Sequence, residues 1–258
     1  MKIAVTGKGG VGKTTLAGTM ARILAARGIK VLAIDADPDS NLASALGIPN
    51  EKMAGVKPLA EMTPLVEERT GTKKGQFGGV FKLNPKVDDI PDTLSVSHNG
   101  VKLLILGSIP EGGGGCFCPE NVLLKSLLRH LIVKRDEAVI LDMEAGLEHL
   151  GRGSTAGMDA LIVVVEPGQR SIQTAQNIKK LAADLRIKNV FIVGNKIQSD
   201  SDKDLIEGGL KEFEVLGYMS LNSAIIRADK EGKAPYDLDE KIKEEVEVIL
   251  KNLEIKRA

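Results

Sequence analysis

The sequence predicts an α/β fold, a doubly wound and mostly parallel sheet flanked by helices, on three observations. Short runs of Val, Ile and Leu recur along the chain, and helix-length amphipathic stretches separate them. Most of the runs are continuously apolar, as strands buried on both faces are. At 258 residues and 43% apolar content, there is material for a real core, and the expected organisation is a single domain over 1–258.

In chain order, the apolar runs predict strands at 2–6, 31–35, 101–106, 138–142, 160–165, 190–194 and 214–219. Helices are expected at 13–27, 120–133, 171–185 and 239–253. In the last of these Ile242, Val246, Ile249, Leu250 and Leu253 form one stripe, while Glu240, Glu244, Glu245, Glu247 and Glu254 occupy the other side. An acidic outer face is repelled by anionic lipid, so the stripe is read as core packing and not as a membrane-lying surface. Residues 50–100 break the rhythm with Pro58, Pro64, Pro85, Pro91 and a Gly- and Lys-rich stretch at 73–79, and are expected to form an irregular, partly mobile insertion. The stretch 73–87 reads equally as a docking surface or a solvated loop.

Composition narrows the function. Lys plus Arg and Asp plus Glu each total 35, so the formal net charge is zero and no basic block marks a nucleic-acid surface. With no Trp and 3% aromatics, base-stacking platforms are also not expected. No run approaches the roughly 18 apolar residues of a membrane span. The opening Met-Lys-Ile-Ala-Val-Thr-Gly lacks a signal-peptide pattern, and two cysteines cannot staple a chain of this size, so a reducing cytoplasm is the expected compartment.

The strongest motif follows the first strand. Gly7, Lys8, Gly9, Gly10, Val11, Gly12, Lys13, Thr14 and Thr15 match the phosphate-loop pattern of Gly, four residues, Gly, Lys, Thr. Glycines let backbone N–H groups turn inward around phosphates, Lys13 reaches the β and γ oxygens, and the Thr14 hydroxyl suits Mg²⁺. The helix N-terminus adds partial positive charge. Gly9 through Thr15 are therefore expected to bind ATP or ADP. The stretch 138–142 leads into Asp142-Met143-Glu144-Ala145-Gly146, an apolar strand ending in acid that fits a Walker B strand. Asp142 is expected to act on Mg²⁺ through water, with Gly146 free to move when the γ-phosphate leaves. Glu144 reads either as a neighbour of the metal or as a partner of Arg152. Asn195-Lys196 follows a strand as a base-reading Asn-Lys pair does, but Gln198 stands where a guanine reader has Asp, so adenine is favoured with Asn195 as its contact. The alternative for Asn195 is a surface residue at a strand end.

Lys8 is not required by the basic pattern. The run from Lys8 to Thr15 resembles the deviant phosphate loop of the ATPase class that includes nitrogenase iron protein and the septum-placement (MinD) and plasmid-partition (ParA) ATPases. The resemblance implies that Lys8 crosses a dimer interface to the partner's phosphates, where a cation stabilises charge on the transferring phosphoryl group. It also implies that Asp35-Ala36-Asp37-Pro38-Asp39-Ser40-Asn41, at the end of the second strand, is a switch segment in which Asp37 orients the attacking water. Asp39 reads equally as a helix cap or a catalytic group.

Both cysteines lie in Gly112-Gly113-Gly114-Gly115-Cys116-Phe117-Cys118-Pro119, just ahead of a helix. In an extended segment residues two apart face the same side, and a helix N-terminus lowers a thiol pKa, so both can act as thiolate ligands. Two sulfurs do not complete a four-coordinate soft-metal site, and His98, His130 and His149 show no ligand spacing to them, but a symmetric dimer supplies a second pair. The alternative is two small buried cysteines.

Taken with the loop, Gly115 to Asn121, 127–131 and 141–153 closely resemble the CooC-type ATPases, the nickel-insertion ATPases of carbon monoxide dehydrogenase maturation. The resemblance covers 2–150 in recognisable segments and 195–236 more loosely. It implies that Cys116 and Cys118 of two subunits form one metal site on the dimer axis and that ATP drives dimerisation. The expected function is an ATP-hydrolysing metallochaperone that loads Ni²⁺, or Zn²⁺, for a nickel-iron carbon monoxide dehydrogenase or an acetyl-coenzyme A synthase complex. Two alternatives compete: a MinD/ParA-type positioning ATPase and an iron-sulfur reductase like nitrogenase iron protein, whose cluster cysteines are widely separated where Cys116 and Cys118 are not.

Overall fold

The computed structural model describes residues 1–72, 82–107, 119–147, 150, 155 and 157–257. The strands are β1 (Lys2–Thr6), β2 (Val31–Ala36), β3 (Val96–His98), β4 (Val101–Ile105), β5 (Ala138–Met143), β6 (Ala160–Val165), β7 (Val190–Ile197) and β8 (Glu214–Ser220). They form one sheet in the order β3-β4-β2-β5-β1-β6-β7-β8, parallel throughout except for β3 against β4. Helices described around it are α1 (Lys13–Ala26), α2 (Leu42–Ala45), α3 (Asn50–Met53), α4 (Thr63–Thr70), α5 (Ile90–Leu94), α6 (Pro119–Lys134), α7 (Gln169–Asp184), α8 (Asp200–Gly209), α9 (Ser223–Glu231), α10 (Pro235–Leu238) and α11 (Glu240–Arg257). This is the doubly wound sheet expected from the apolar runs, and all seven expected strands are present.

Every residue of β1, β2, β5 and β6 is buried, because helices cover both faces. The two-residue period of a strand divides these side chains between two cores. Ile3, Val5, Ile140, Ile162 and Val164 meet α1 and α11, whereas Ala4, Leu32, Leu141, Leu161 and Val163 meet α6 and α7. The stripe of α11 packs inward as read, with Ile242, Val246, Ile249, Leu250 and Leu253 all at most 1% exposed. Among the described residues no helix is long and apolar enough to cross a membrane.

Residues 50–100 carry more regular structure than their prolines imply. Pro64 and Pro91 sit in the first turns of α4 and α5, where a missing N–H costs nothing. Leu59, Val66, Val87 and Ile90 are buried in the α6 side of the core. Asn99 and Gly100, at φ 46° and 79°, form a two-residue turn that folds β3 back onto β4. The stretch 73–81 lies outside the described residues.

The strand order places a crevice at the loop after β1. The chain leaves β1 for β2, beyond β5, and later crosses from β5 to β6 on the other side of β1. The carboxyl ends of the central strands therefore converge where a doubly wound sheet binds its ligand. The Thr6 hydroxyl, donating to the Glu144 carbonyl oxygen, ties the exits of β1 and β5 together.

Burial on α11 predicts a contrast along one helix. Leu250→Ala, at a fully buried site, is expected to cost about 3 kcal/mol of unfolding free energy by denaturant titration, and Val248→Ala, at 54% exposure, less than about 0.5 kcal/mol. Equal effects would show that the stripe is not core.

Candidate nucleotide and cation site

The β1–α1 loop opens onto a cavity of about 1010 Å³ at the carboxyl end of the sheet. Gly9, Gly10, Gly12, Lys13, Thr14 and Thr15 form its floor, and Asp37, Asp39 and Asn41 one side. Glu144, Ala145 and Gly146 face them, and Ser220, Leu221, Asn222 and Ile225 close the far end. Val11 does not line it; its side chain is fully buried and only its backbone shapes the loop.

Glycine is required at position 12 for two separate reasons. Its φ of 96° is left-handed, and a Cβ there would lie 2.1 Å from the Asn195 Nδ2 atom. Asn195 is 2% exposed, donates from Nδ2 to the Val11 carbonyl oxygen at 2.7 Å, and accepts the Lys196 N–H on Oδ1 at the same distance. The amide expected at the base holds the phosphate loop, and Asn195 also borders the cavity.

Lys13 begins α1, and its side chain is 7% exposed. Its ammonium lies 3.6 Å from Asp37 Oδ2, so the loop lysine and that carboxylate neutralise one another. Asp37 is held in turn by its own segment, since its Oδ1 accepts the Asp39 N–H at 3.0 Å. Asp39 itself is exposed and caps no helix: α2 has no side-chain cap, and the Leu42 N–H at its start is held by Asp35 at 3.0 Å.

Asp35 and Asp142 are paired in register on adjacent parallel strands, so their buried side chains share one face at the sheet's carboxyl edge. Burial pushes the Asp142 carboxyl up to about 7, against the pull of the Thr14 hydroxyl, with the Asp35 charge adding to the rise. Burial likewise raises Asp35 to about 6, opposed by the N–H groups of Leu42 and Asp37. Neither oxygen of Asp142 makes a hydrogen bond of normal geometry. A buried carboxyl with no donor in normal geometry, beside a threonine hydroxyl and an open cavity, is the oxygen set that a hard divalent cation takes.

Lys8 stands at the rim, 39% exposed, with its ammonium 3.7 Å from Glu166 Oε1. Lys196 takes the other oxygen of the same carboxylate at 2.9 Å. Glu166 was not singled out in the sequence, though like Asp35 and Asp142 it is an acid at the end of an apolar strand run. Cys116 and Cys118 lie outside the described residues, as does Arg152, the alternative partner of Glu144. Among the described residues no three His, Cys, Asp or Glu side chains are grouped to hold a metal ion.

Two outcomes follow from this geometry. Asn195→Ala is expected to weaken binding of ATP and of inorganic tripolyphosphate alike, by about tenfold each, because the loop and not a base contact is lost; calorimetry on both ligands checks it. The native carboxyls of Asp35 and Asp142 hold protons up to about 6 and about 7, whereas an unfolded Asp releases its proton near about 4. Between those limits the folded chain binds more protons than the unfolded one, so their contribution to stability falls as pH rises and levels off above about 7. Asp142→Asn is therefore expected to raise the ligand-free melting temperature more at pH 8 than at pH 5, a difference that thermal denaturation across pH measures.

Comparison with known proteins agrees with the site. The CobQ/CobB/MinD/ParA nucleotide binding domain profile matches residues 2–236. The carbon monoxide dehydrogenase accessory protein CooC of Rhodospirillum rubrum is 50% identical over 92% of this chain and 90% of its own length. An uncharacterized ATP-binding protein of Methanocaldococcus jannaschii is 47% identical over 96% of each chain. Among solved structures, a chain of the Aquifex aeolicus MinC:MinD cell division protein complex superposes with a TM-score of 0.70 at 21% identity, over 98% of this chain and 96% of that one, a likeness of fold. The chain belongs to the CobQ/CobB/MinD/ParA nucleotide-binding family, as the loop from Lys8 to Thr15 and the CooC-type segments around it lead one to expect.

Proposed function

We propose that this chain, an ATPase, is a metallochaperone that dimerises with nucleotide, carries Ni²⁺ or Zn²⁺ on Cys116 and Cys118 of two subunits, and assists nickel insertion into carbon monoxide dehydrogenase. The observation that carries the proposal is the 50% identity, over nearly the whole of both chains, to a protein named as a carbon monoxide dehydrogenase accessory protein. The acceptor is a nickel-iron carbon monoxide dehydrogenase or an acetyl-coenzyme A synthase complex. Four thiolates suit tetrahedral Zn²⁺ and also hold Ni²⁺ in a square plane, so the donor set admits either cargo.

The residues divide the work along the cavity. Phosphates lie against the N–H groups of the loop and the ammonium of Lys13, at the N-terminus of α1. Thr14, and Asp142 through water, would hold Mg²⁺, whose charge would offset that of the phosphates. Phosphate binding draws Lys13 away from Asp37, leaving that carboxylate to orient the attacking water. The base occupies the far end, between Leu221, Asn222, Ile225 and Pro235, where the exposed Leu221 and the half-buried Ile225 suit a purine face. Lys8 leaves Glu166 to reach the phosphates of the partner subunit, so closing the dimer and completing the catalytic site are one event.

The test combines metal content per chain with molar mass by light scattering, with and without a slowly hydrolysed ATP analogue. About half a metal per chain in a dimer, lost in Cys116→Ser or Cys118→Ser, is expected from a site of four thiolates shared by two chains. A nucleotide-bound dimer that takes up no metal would overturn the metallochaperone reading and move a positioning ATPase to first place. Lys13→Ala is expected to lose nucleotide binding. Lys8→Ala is expected to bind ATP with unchanged affinity in one chain while kcat falls by about 10³-fold. Normal turnover in the Lys8 variant would remove the contact in trans.

A further inference from the structure

Two walls of the cavity come from segments far apart in sequence, and one buried arginine holds both. On one side are Ser44 and Ala45 of α2, at the end of the switch segment; on the other are Lys233 and Pro235, at the start of α10. Arg22 projects from the middle of α1 and is 8% exposed. Its guanidinium makes a two-pronged contact with Asp237 of α10, at 3.1 Å to Oδ2 and 2.8 Å to Oδ1. The same guanidinium donates to the Leu46 carbonyl oxygen at 3.0 Å, just past α2. It also lies over the Tyr236 ring, 4.7 Å from the centroid, and Lys243 stands 4.9 Å from that centroid.

The backbone of the two walls is fitted as closely as the side chains. Gly47, at φ 71°, packs so tightly that a Cβ there would lie 3.2 Å from both the N and Cβ atoms of Ala234. Ala234 is fully buried, so the strap 233–238 rests directly on the exit of the switch segment. The guanidinium fork matches a carboxylate in a way that an ammonium cannot, which makes position 22 selective for arginine on geometry and not on charge alone.

We infer that Arg22 and Asp237 are positioning residues for the nucleoside part of the substrate: they clamp the 233–238 strap to α1 and so set the width of the cavity at its base end. The inference rests on the placement of the base proposed above. Releasing the clamp lets the strap drift from α1, and the base loses one wall while the phosphates keep all of theirs.

The experiment measures steady-state ATP hydrolysis, and binding of Mg·ATP and Mg·tripolyphosphate by calorimetry, in the wild type, Asp237→Ala, Arg22→Lys and Ile225→Glu. Asp237 is on the exposed side of the pair, so its variant keeps the core intact, and the melting temperature reports on folding. Asp237→Ala and Arg22→Lys are expected to raise KM for ATP about tenfold, the loss typical of a hydrogen bond to a charged group, with kcat within about twofold and tripolyphosphate affinity unchanged. Ile225→Glu, which places a charge against the base, is expected to raise KM for ATP as well. If Ile225→Glu raises KM and folded Asp237→Ala does not, the clamp is wrong and the base placement stands. If Ile225→Glu leaves KM unchanged, the base lies elsewhere and the inference falls with that placement. Parallel loss of ATP and tripolyphosphate in Asp237→Ala would make the pair a general structural brace and overturn the inference.

Discussion

The hydrogen bond from the Asn195 amide to the Val11 carbonyl is the contact around which the mouth of the sheet is organised. It joins the carboxyl end of β7 to the phosphate loop, which is also anchored by the buried Val11 side chain and by the pairing of Lys8 with Glu166. Because the amide lies against Gly12, the loop is shaped by contact as well as by conformational freedom. From that fixed loop follow the direction of α1, the burial of Lys13 and its pairing with Asp37. The middle of α1 then places Arg22 between Leu46, just past α2, and α10. One polar contact at the sheet edge and one helix thus set the positions of groups drawn from five separate parts of the chain.

The same region holds charge under tension. Two carboxylates in register at the buried edge of a parallel sheet are both protonated more readily than free aspartate, and although Asp35 accepts the Leu42 and Asp37 N–H groups, Asp142 has no normal hydrogen bond. Burying two neighbouring acids in this way is a common compromise where stability is given up for function.

Much of this was legible in the sequence, and the parts that were not share a cause. Continuous apolar runs identify buried strands well, and the phosphate loop declares itself through spacing. The short β3 has no apolar run, but Asn99-Gly100, a strong turn signal, lies between it and β4. Ser199 and Asp202 form a capping box that announces α8 just as locally. The prolines at 64 and 91 read as breaks because composition does not distinguish a first-turn proline from a helix end. Asn195 was visible as a polar residue after a strand, but its partner is 184 positions away. Arg22 and Asp237 are separated by 215 positions and carry no motif, so only the tertiary structure brings them together. The fold was readable from local pattern; the site was readable where its chemistry is local and unreadable where it depends on long-range pairing.

The hairpin formed by β3 has an effect beyond the site. A parallel sheet that ended on β4 would present a row of unpaired backbone groups to any passing chain. Here the edge is a three-residue antiparallel strand, its Ser97 carbonyl oxygen is covered by the Lys52 ammonium at 3.4 Å, and Asp92, Lys102 and Arg135 set opposite charges beside it. Strand-to-strand growth into larger aggregates is blocked on that flank by geometry and charge.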